Sequence, residues 1–178
     1  MNLARRPLLA LAGVLLLAGC TSVPRQQDGA PVEPLNGRLS LAVDATGEQP
    51  AQRMSAAFEL QGDARNGTLR LATPLGNVLA EAQWTERRAV LRDGSGERQF
   101  ESLAALAQAL LGEPLPLQAL VDWLRGMPWP GAASRPVDGG FEQLEWRVDT
   151  QGLSEGRLDA RRERPPAVQL RVRLDRSS

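Results

Sequence analysis

From Leu35 onward, apolar and polar residues alternate with a period of two, the repeat of a strand buried on one face. Leu39, Leu41 and Val43 alternate with Arg38, Ser40 and Ala42, and Met54, Ala56, Phe58 and Leu60 alternate with Arg53, Ser55, Ala57 and Glu59. Residues 63–67 (DARNG) end in Asn66-Gly67, a hairpin signal, after which Leu69 and Leu71 alternate with Thr68, Arg70 and Ala72. Residues 78–84 predict a fourth strand. Residues 89–92 and 97–100 flank Asp93-Gly94-Ser95-Gly96 and read as a further hairpin. Short strands joined by local turns favour an antiparallel sheet or barrel.

The period then changes. Ser102 is placed to cap a helix over Leu103–Leu111, with Gly112 just beyond it, and Leu103, Leu106, Leu110 and Leu111 form its apolar stripe. Pro116 opens a second helix over 117–125, stopped by Gly126, with Leu117, Leu120, Val121 and Leu124 on one face. A Pro-rich connection, 127–131, follows. Strands are predicted again near 142–148, 157–161 and 168–174, the last alternating Val168, Leu170, Val172 and Leu174 with Gln169, Arg171, Arg173 and Asp175. No internal repeat is present. The expected architecture is mainly β: a curled sheet whose concave face is covered by two short helices. Sheet and helices either complete an ordinary core or enclose an apolar ligand cavity. Phe58, Leu60, Leu71 and Trp84 from the strands, and Leu106, Leu110, Leu120 and Leu124 from the helices, are the candidate cavity residues.

The first 34 residues carry no such pattern. A basic start leads into a ten-residue apolar run, 8–17, too short for a bilayer span of about 20 residues but right for the core of a secretion signal. The run ends in Leu17-Ala18-Gly19-Cys20, which resembles the bacterial lipobox. That resemblance implies cleavage before Cys20 and acylation of its thiol and new amine; the bland alternative is an ordinary leader with a chance cysteine. Cys20 is the one cysteine, so no internal disulfide is available. Thr21, rather than Asp, follows it, which by the enterobacterial sorting rule points to the outer membrane. The expected organisation is a removed signal peptide over 1–19, a lipidated Cys20 with a Pro-rich tether over 20–34, and one domain over 35–178. The fourteen tether residues after Cys20 could reach on the order of 40 Å.

Composition narrows the chemistry. All 21 basic residues are Arg, balanced by 21 acidic residues, and there is no Lys, His or Tyr. A neutral chain lacks the electrostatic footprint of a nucleic-acid binder. Without imidazole or amine there is no Ser-His-Asp or Cys-His site, no His-ligated zinc and no Schiff-base lysine. An enzyme would need a carboxylate pair, and none stands out from surface charge. No metal or cofactor is expected.

One loop stands apart. Thr73-Pro74-Leu75-Gly76-Asn77 places a Leu between Pro and Gly, where a loop tip should be. Either Leu75 folds back onto the core, or it is exposed and touches a membrane or partner.

The ordered set of lipobox Cys20, Gly37-Arg38-Leu39, Leu69-x-Leu71-x-x-Pro74-Leu75-Gly76, Leu111-Gly112-Glu113-Pro114-Leu115-Pro116-Leu117 and Leu120-x-x-Trp123-Leu124-x-Gly126-x-Pro128 resembles the outer-membrane lipoprotein receptor family LolB. The likeness spans roughly Leu35 to Leu174. It departs at Leu60, where the family often has Trp, and in lacking a Tyr at the start of the third strand. The resemblance implies an unclosed antiparallel β-barrel with a helical lid over an apolar cavity. It implies a monomer without cofactor that takes triacylated lipoproteins from the periplasmic carrier LolA and releases them into the inner leaflet of the outer membrane. It also implies that Leu75, with Pro74 and Gly76, forms the loop needed for membrane delivery. Rival readings are another lipid- or glycolipid-binding lipoprotein of similar half-barrel fold, and a structural assembly lipoprotein that binds a partner through a sheet edge.

Overall fold

The computed structural model describes residues 33–47, 50–111 and 115–175. The leader, Cys20, most of the tether and Gly112 lie outside the described residues, as do the side chains of Leu110 and Leu111. The strands are β1 (Leu35–Val43), β2 (Gln52–Gly62), β3 (Gly67–Ala72), β4 (Val78–Thr85), β5 (Arg88–Asp93), β6 (Gly96–Phe100), β7 (Ser134–Val137), β8 (Gly140–Gln143), β9 (Trp146–Asp149), β10 (Arg157–Arg162) and β11 (Val168–Leu174). Among the described residues the helices are α1 (Leu103–Leu111) and α2 (Leu117–Trp123), and a short 3-10 turn spans Leu153–Glu155.

The eleven strands form one sheet in the order β6-β5-β4-β3-β2-β1-β11-β10-β9-β8-β7. Every pairing is antiparallel, and β1 joins the two halves by pairing with both β2 and β11. The end strands β6 and β7 do not pair, so the barrel is unclosed, and the chain between them carries both helices.

Register explains why one face is apolar. Leu39 stands opposite Ala56 and Val172, and Leu41 opposite Met54 and Leu170, so alternation in three strands points one way. Gly37 sits where β1 and β11 approach closely. A Cβ there would lie 2.2 Å from the carbonyl oxygen of Arg173, so only glycine fits without parting the strands.

The second helix ends at Trp123, two residues before the predicted Arg125, and the chain turns off at the predicted Gly126. Gly126 takes a left-handed φ of 77°, its N–H donates to the Trp123 carbonyl at 2.8 Å, and the Met127 N–H donates to the Asp122 carbonyl at 3.1 Å.

Two expectations are corrected. Residues 142–148 are not one strand but the hairpin β8–β9, turned at Leu144 and Glu145 with φ of 53° and 66°. Two successive positive φ values suit a tight hairpin turn but usually recruit Asn or Gly, so the turn carried no residue signal. Strand β7 was not foreseen, because it is short and contains Pro136. It lies at the sheet's edge, where a missing N–H is tolerated.

Gln143, on β8, fixes the Pro-rich connection. Its Oε1 accepts from Trp123 Nε1 at 2.8 Å and from the Trp129 N–H at 2.9 Å. Its Nε2 donates to the carbonyls of Trp129 at 2.7 Å and Ala132 at 2.8 Å. The amide's hydrogen-bonding capacity is used in full. The Trp123 ring meanwhile packs edge-on against Phe141 and tilted against Trp146. Gln143→Leu keeps the volume and strips four partners at once. We expect a loss of about 3 kcal/mol or more in denaturant unfolding. A loss near zero would mean that water replaces the amide.

Candidate functional site

Between the concave face of the sheet and α2 lies an apolar cleft. Strand residues Leu39, Leu41, Met54, Phe58, Leu60, Leu69, Leu71, Trp84, Leu170 and Val172 form one wall. Leu115, Leu117, Leu120, Val121 and Leu124, on and just before α2, form the other. No lining side chain is titratable, and the only polar atom among their side chains is the Trp84 indole nitrogen. That N–H donates to the Asp63 carbonyl at 3.0 Å. The Trp84 ring lies over Gly67, where a Cβ would come within 2.4 Å of Cζ2. The free volume is only about 40 Å³, because the α2 leucines fill the space.

Six of the eight candidate cavity residues therefore meet around this cleft: Phe58, Leu60, Leu71, Trp84, Leu120 and Leu124. Leu106 is not among them. It is fully buried, but α1 packs on β5, β6 and α2, and Leu106 belongs to the core there rather than to the cleft lining. Nine further lining residues were not named as candidates: Leu39, Leu41, Met54, Leu69, Leu117 and Val121, from elements the sequence did predict, and Leu115, Leu170 and Val172. The contribution of the last three depends on pairings and folding back of distant segments that local periodicity does not carry.

At the rim, Arg125 ties the end of α2 to the sheet. Its Nη1 donates to the Val121 carbonyl at 2.8 Å and its Nη2 to the carbonyl of Gly62, the last residue of β2, at 3.2 Å. Burial pushes the neighbouring Asp122 carboxyl above its ordinary pKa; Arg125 opposes the shift and Asp63 adds to it. Folding thus favours the protonated acid, and that contribution is lost as pH rises through the raised value. Asp122→Asn is expected to melt higher than the parent at neutral pH and to lose that advantage below the ordinary carboxylate range. An Asn variant that melts lower at neutral pH would show that the pairing with Arg125 outweighs burial.

The β3–β4 hairpin carries a second feature. Its loop closes on itself: the Gly76 N–H donates to the Thr73 carbonyl at 2.8 Å, and the Thr73 N–H to the Asn77 carbonyl at 2.8 Å. The Asn77 N–H also donates to Thr73 Oγ1 at 3.2 Å, and Gly76 adopts a φ of 89°. Leu75 stands at the tip, 90% exposed, between Pro74 and Gly76. Val78 and Leu79 behind it are also exposed, at 46% and 43%, which the sequence did not reveal. Leu71, on the same hairpin, lines the cleft. The apolar interior and the apolar tip thus share one supersecondary unit.

The family model described as outer membrane lipoprotein LolB matches residues 34–175. A curated Outer-membrane lipoprotein LolB from Bordetella pertussis is 36% identical over 155 residues, covering 77% of this chain and 76% of that protein. The protein of that name from Chromobacterium violaceum is 33% identical over 159 residues, covering 80% and 81%. That from Halorhodospira halophila is 32% identical over 171 residues, covering 84% and 81%.

Proposed function

The chain belongs to the outer-membrane lipoprotein LolB family, and from that premise we propose that it accepts lipoproteins from a LolA-type periplasmic carrier and places them in the inner leaflet of the outer membrane. The observation that carries this reading is the apolar cleft, lined in part by Leu69, Leu71 and Trp84 of the hairpin whose tip is the exposed Leu75. A triacylated cargo has dozens of methylenes at about 0.8 kcal/mol each, so exposing them to water costs on the order of tens of kcal/mol. The chains must pass from one apolar surface to another.

A cleft with about 40 Å³ free cannot hold an acyl chain as it stands. The α2 leucines occupy the place that the chains need. Entry of cargo displaces Leu117, Leu120, Val121 and Leu124 from the strand wall and replaces one apolar partner with another. Little hydrophobic free energy is lost in that exchange, which suits a protein that must also release its cargo. No group in the cleft can act as acid, base or nucleophile, so the work is binding and transfer rather than catalysis. Direction then follows from affinity: tighter than the carrier, weaker than the bilayer.

Delivery also needs reach. Leu35, where the tether joins, is level with Leu60 and Leu69 across β1, β2 and β3. From there to Leu75 is roughly 20 Å of strand. A tether reaching on the order of 40 Å from a lipidated Cys20 lets the loop face the membrane on the periplasmic side. Cys20→Ala should yield a domain released from membranes, while mass spectrometry of the parent should find an acylated N-terminal Cys20. An unmodified N-terminus elsewhere would remove the anchor from this account.

The proposal as a whole is tested by transfer from loaded carrier, with a photo-crosslinker at Phe58. Acylated cargo should crosslink on transfer, and a non-acylated version should not. Equal crosslinking of both, or none with the acylated form, overturns it. Co-purified lipid in place of lipoprotein would favour a general lipid carrier.

A further inference from the structure

The outer face of the sheet carries two kinds of charge row. Across β2 to β6, Glu59, Arg70, Glu81, Arg92 and Glu97 stand opposite one another in turn, alternating in sign at every step. Two of those steps are ion pairs, Arg70–Glu81 at 3.5 Å and Arg92–Glu97 at 2.7 Å. That is how a solvated sheet face is ordinarily stabilised.

The other row breaks this rule. Arg157 stands opposite Arg173 across β10 and β11, and Arg173 stands opposite Arg38 across β11 and β1. Three like charges in consecutive cross-strand positions oppose folding. The row continues through Ala57 to Ala72, the last residue before the loop that bears Leu75. Arg171 projects beside it, opposite Ser40. A surface depression of about 340 Å³ runs between these arginines over Ser40, Ser55 and Ala57, and reaches Pro74; one carboxylate, Asp159, lines it beside four arginines.

The arginines are only partly matched. Arg157 pairs with Glu155 at 2.7 Å and Arg171 with Asp159 at 3.3 Å, both exposed and so exchangeable. Arg38 and Arg173 have no ion pair or side-chain hydrogen bond among the described residues. The small floor leaves their planar guanidinium forks free to grip an oxyanion at two points each.

We propose that this row is a cradle for the phosphate of a bilayer lipid headgroup, set beside Leu75 so that tip and headgroup are engaged together. The proposal rests on the membrane-delivery reading. When Leu75 enters the acyl region, Pro74 at the base of the loop lies at headgroup level, and the depression opens beside it. The tip supplies apolar area, and the arginines supply attraction to an anionic surface and fix the angle of approach. The cost in folding of three stacked arginines is offset when the bilayer supplies the counter-charge.

The test uses the full lipidated chain in phosphatidylcholine vesicles, with and without phosphatidylglycerol, and an environment-sensitive fluorophore on a cysteine placed by Asn77→Cys. Emission should shift to the blue with phosphatidylglycerol. Arg38→Gln/Arg173→Gln should lower the inserted-to-surface ratio by about ten-fold or more on those vesicles, given the pull on each arginine near an anionic surface. Its melting temperature should be unchanged or higher, since it relieves like-charge opposition. An undiminished phosphatidylglycerol response in the double variant, or a clear fall in melting temperature, overturns the cradle. Saturable binding of inorganic phosphate without any phosphatidylglycerol dependence of insertion would make it a free-anion site and overturn the headgroup assignment. Leu75→Glu separates the two readings: it should abolish insertion on both vesicle types with the arginines intact. If it inserts like the parent, the delivery reading falls, and the cradle falls with it.

Discussion

Leu75→Glu should stop delivery while leaving the fold alone. At 90% exposure the side chain contributes little to packing, and the loop is held by backbone bonds and Thr73 Oγ1. Stability should stay within about 0.5 kcal/mol of the parent. Uptake from the carrier should also persist, because the cleft is lined by other residues. The last step is what fails. A Leu gains about 1.5–3 kcal/mol on entering lipid, and the charge forfeits this and adds its own desolvation cost. Loaded protein should therefore accumulate, read as cargo crosslinked to the receptor and absent from the bilayer. Leu75→Phe should restore release, since apolar area rather than shape is required, and Val78 and Leu79 stand behind the tip to extend that area. Normal release by a stably folded Leu75→Glu protein would remove the loop from the mechanism. A large fall in melting temperature would make Leu75 a core residue.

The half-barrel was legible where one strand's own residues decide its structure. Strands β1 to β6 alternate cleanly or sit on obvious turns, and Gly126 marks the end of α2 as expected. It was not legible where the determinants lie far apart in sequence. The hairpin turn at Leu144 and Glu145 is imposed by the packing of Phe141, Trp146 and Gln143 rather than by a turn residue. The apolar stripe of α1 was visible, but the stripe does not say whether it faces the cleft or the β5–β6 end of the sheet. Leu106 went to the latter.

The functional features divide in the same way. An apolar interior follows from composition and alternation, so six lining residues could be named in advance. Exposure of Leu75 follows from the family resemblance and not from the residues alone, because a Leu between Pro and Gly fits a tucked as well as a projecting loop. The arginine row was hidden altogether. Arg38 and Arg173 are neighbours only through the pairing of the first strand with the last, and each alone reads as an ordinary outward residue of an alternating strand.

Leu120→Asp should abolish acyl binding, and Leu120→Ala should not. Leu120 is nearly buried on α2 and faces Phe58, Leu60 and the other strand residues of the cleft. The Ala variant removes apolar volume from the lid side. It should cost about 2–5 kcal/mol in stability, and it enlarges the cleft, so a fatty-acid probe should bind as well as before or better. The Asp variant loses the same packing and also places a carboxylate where no lining residue can pair with it. An acyl chain cannot cover that group without stripping its water, so probe affinity should fall by about a hundred-fold or more. Melting and probe titration on the same samples separate the two effects, because both variants are destabilised and only one should lose the probe. Where Leu120→Asp does not fold, Leu120→Asn makes the comparison with a neutral polar group. Leu106→Ala is the counterpart in the core outside the cleft: it should lose stability to a similar degree with probe affinity unchanged. Equal probe affinity in the parent, Leu120→Ala and a folded polar variant at position 120 would show that the acyl chains do not enter this cleft.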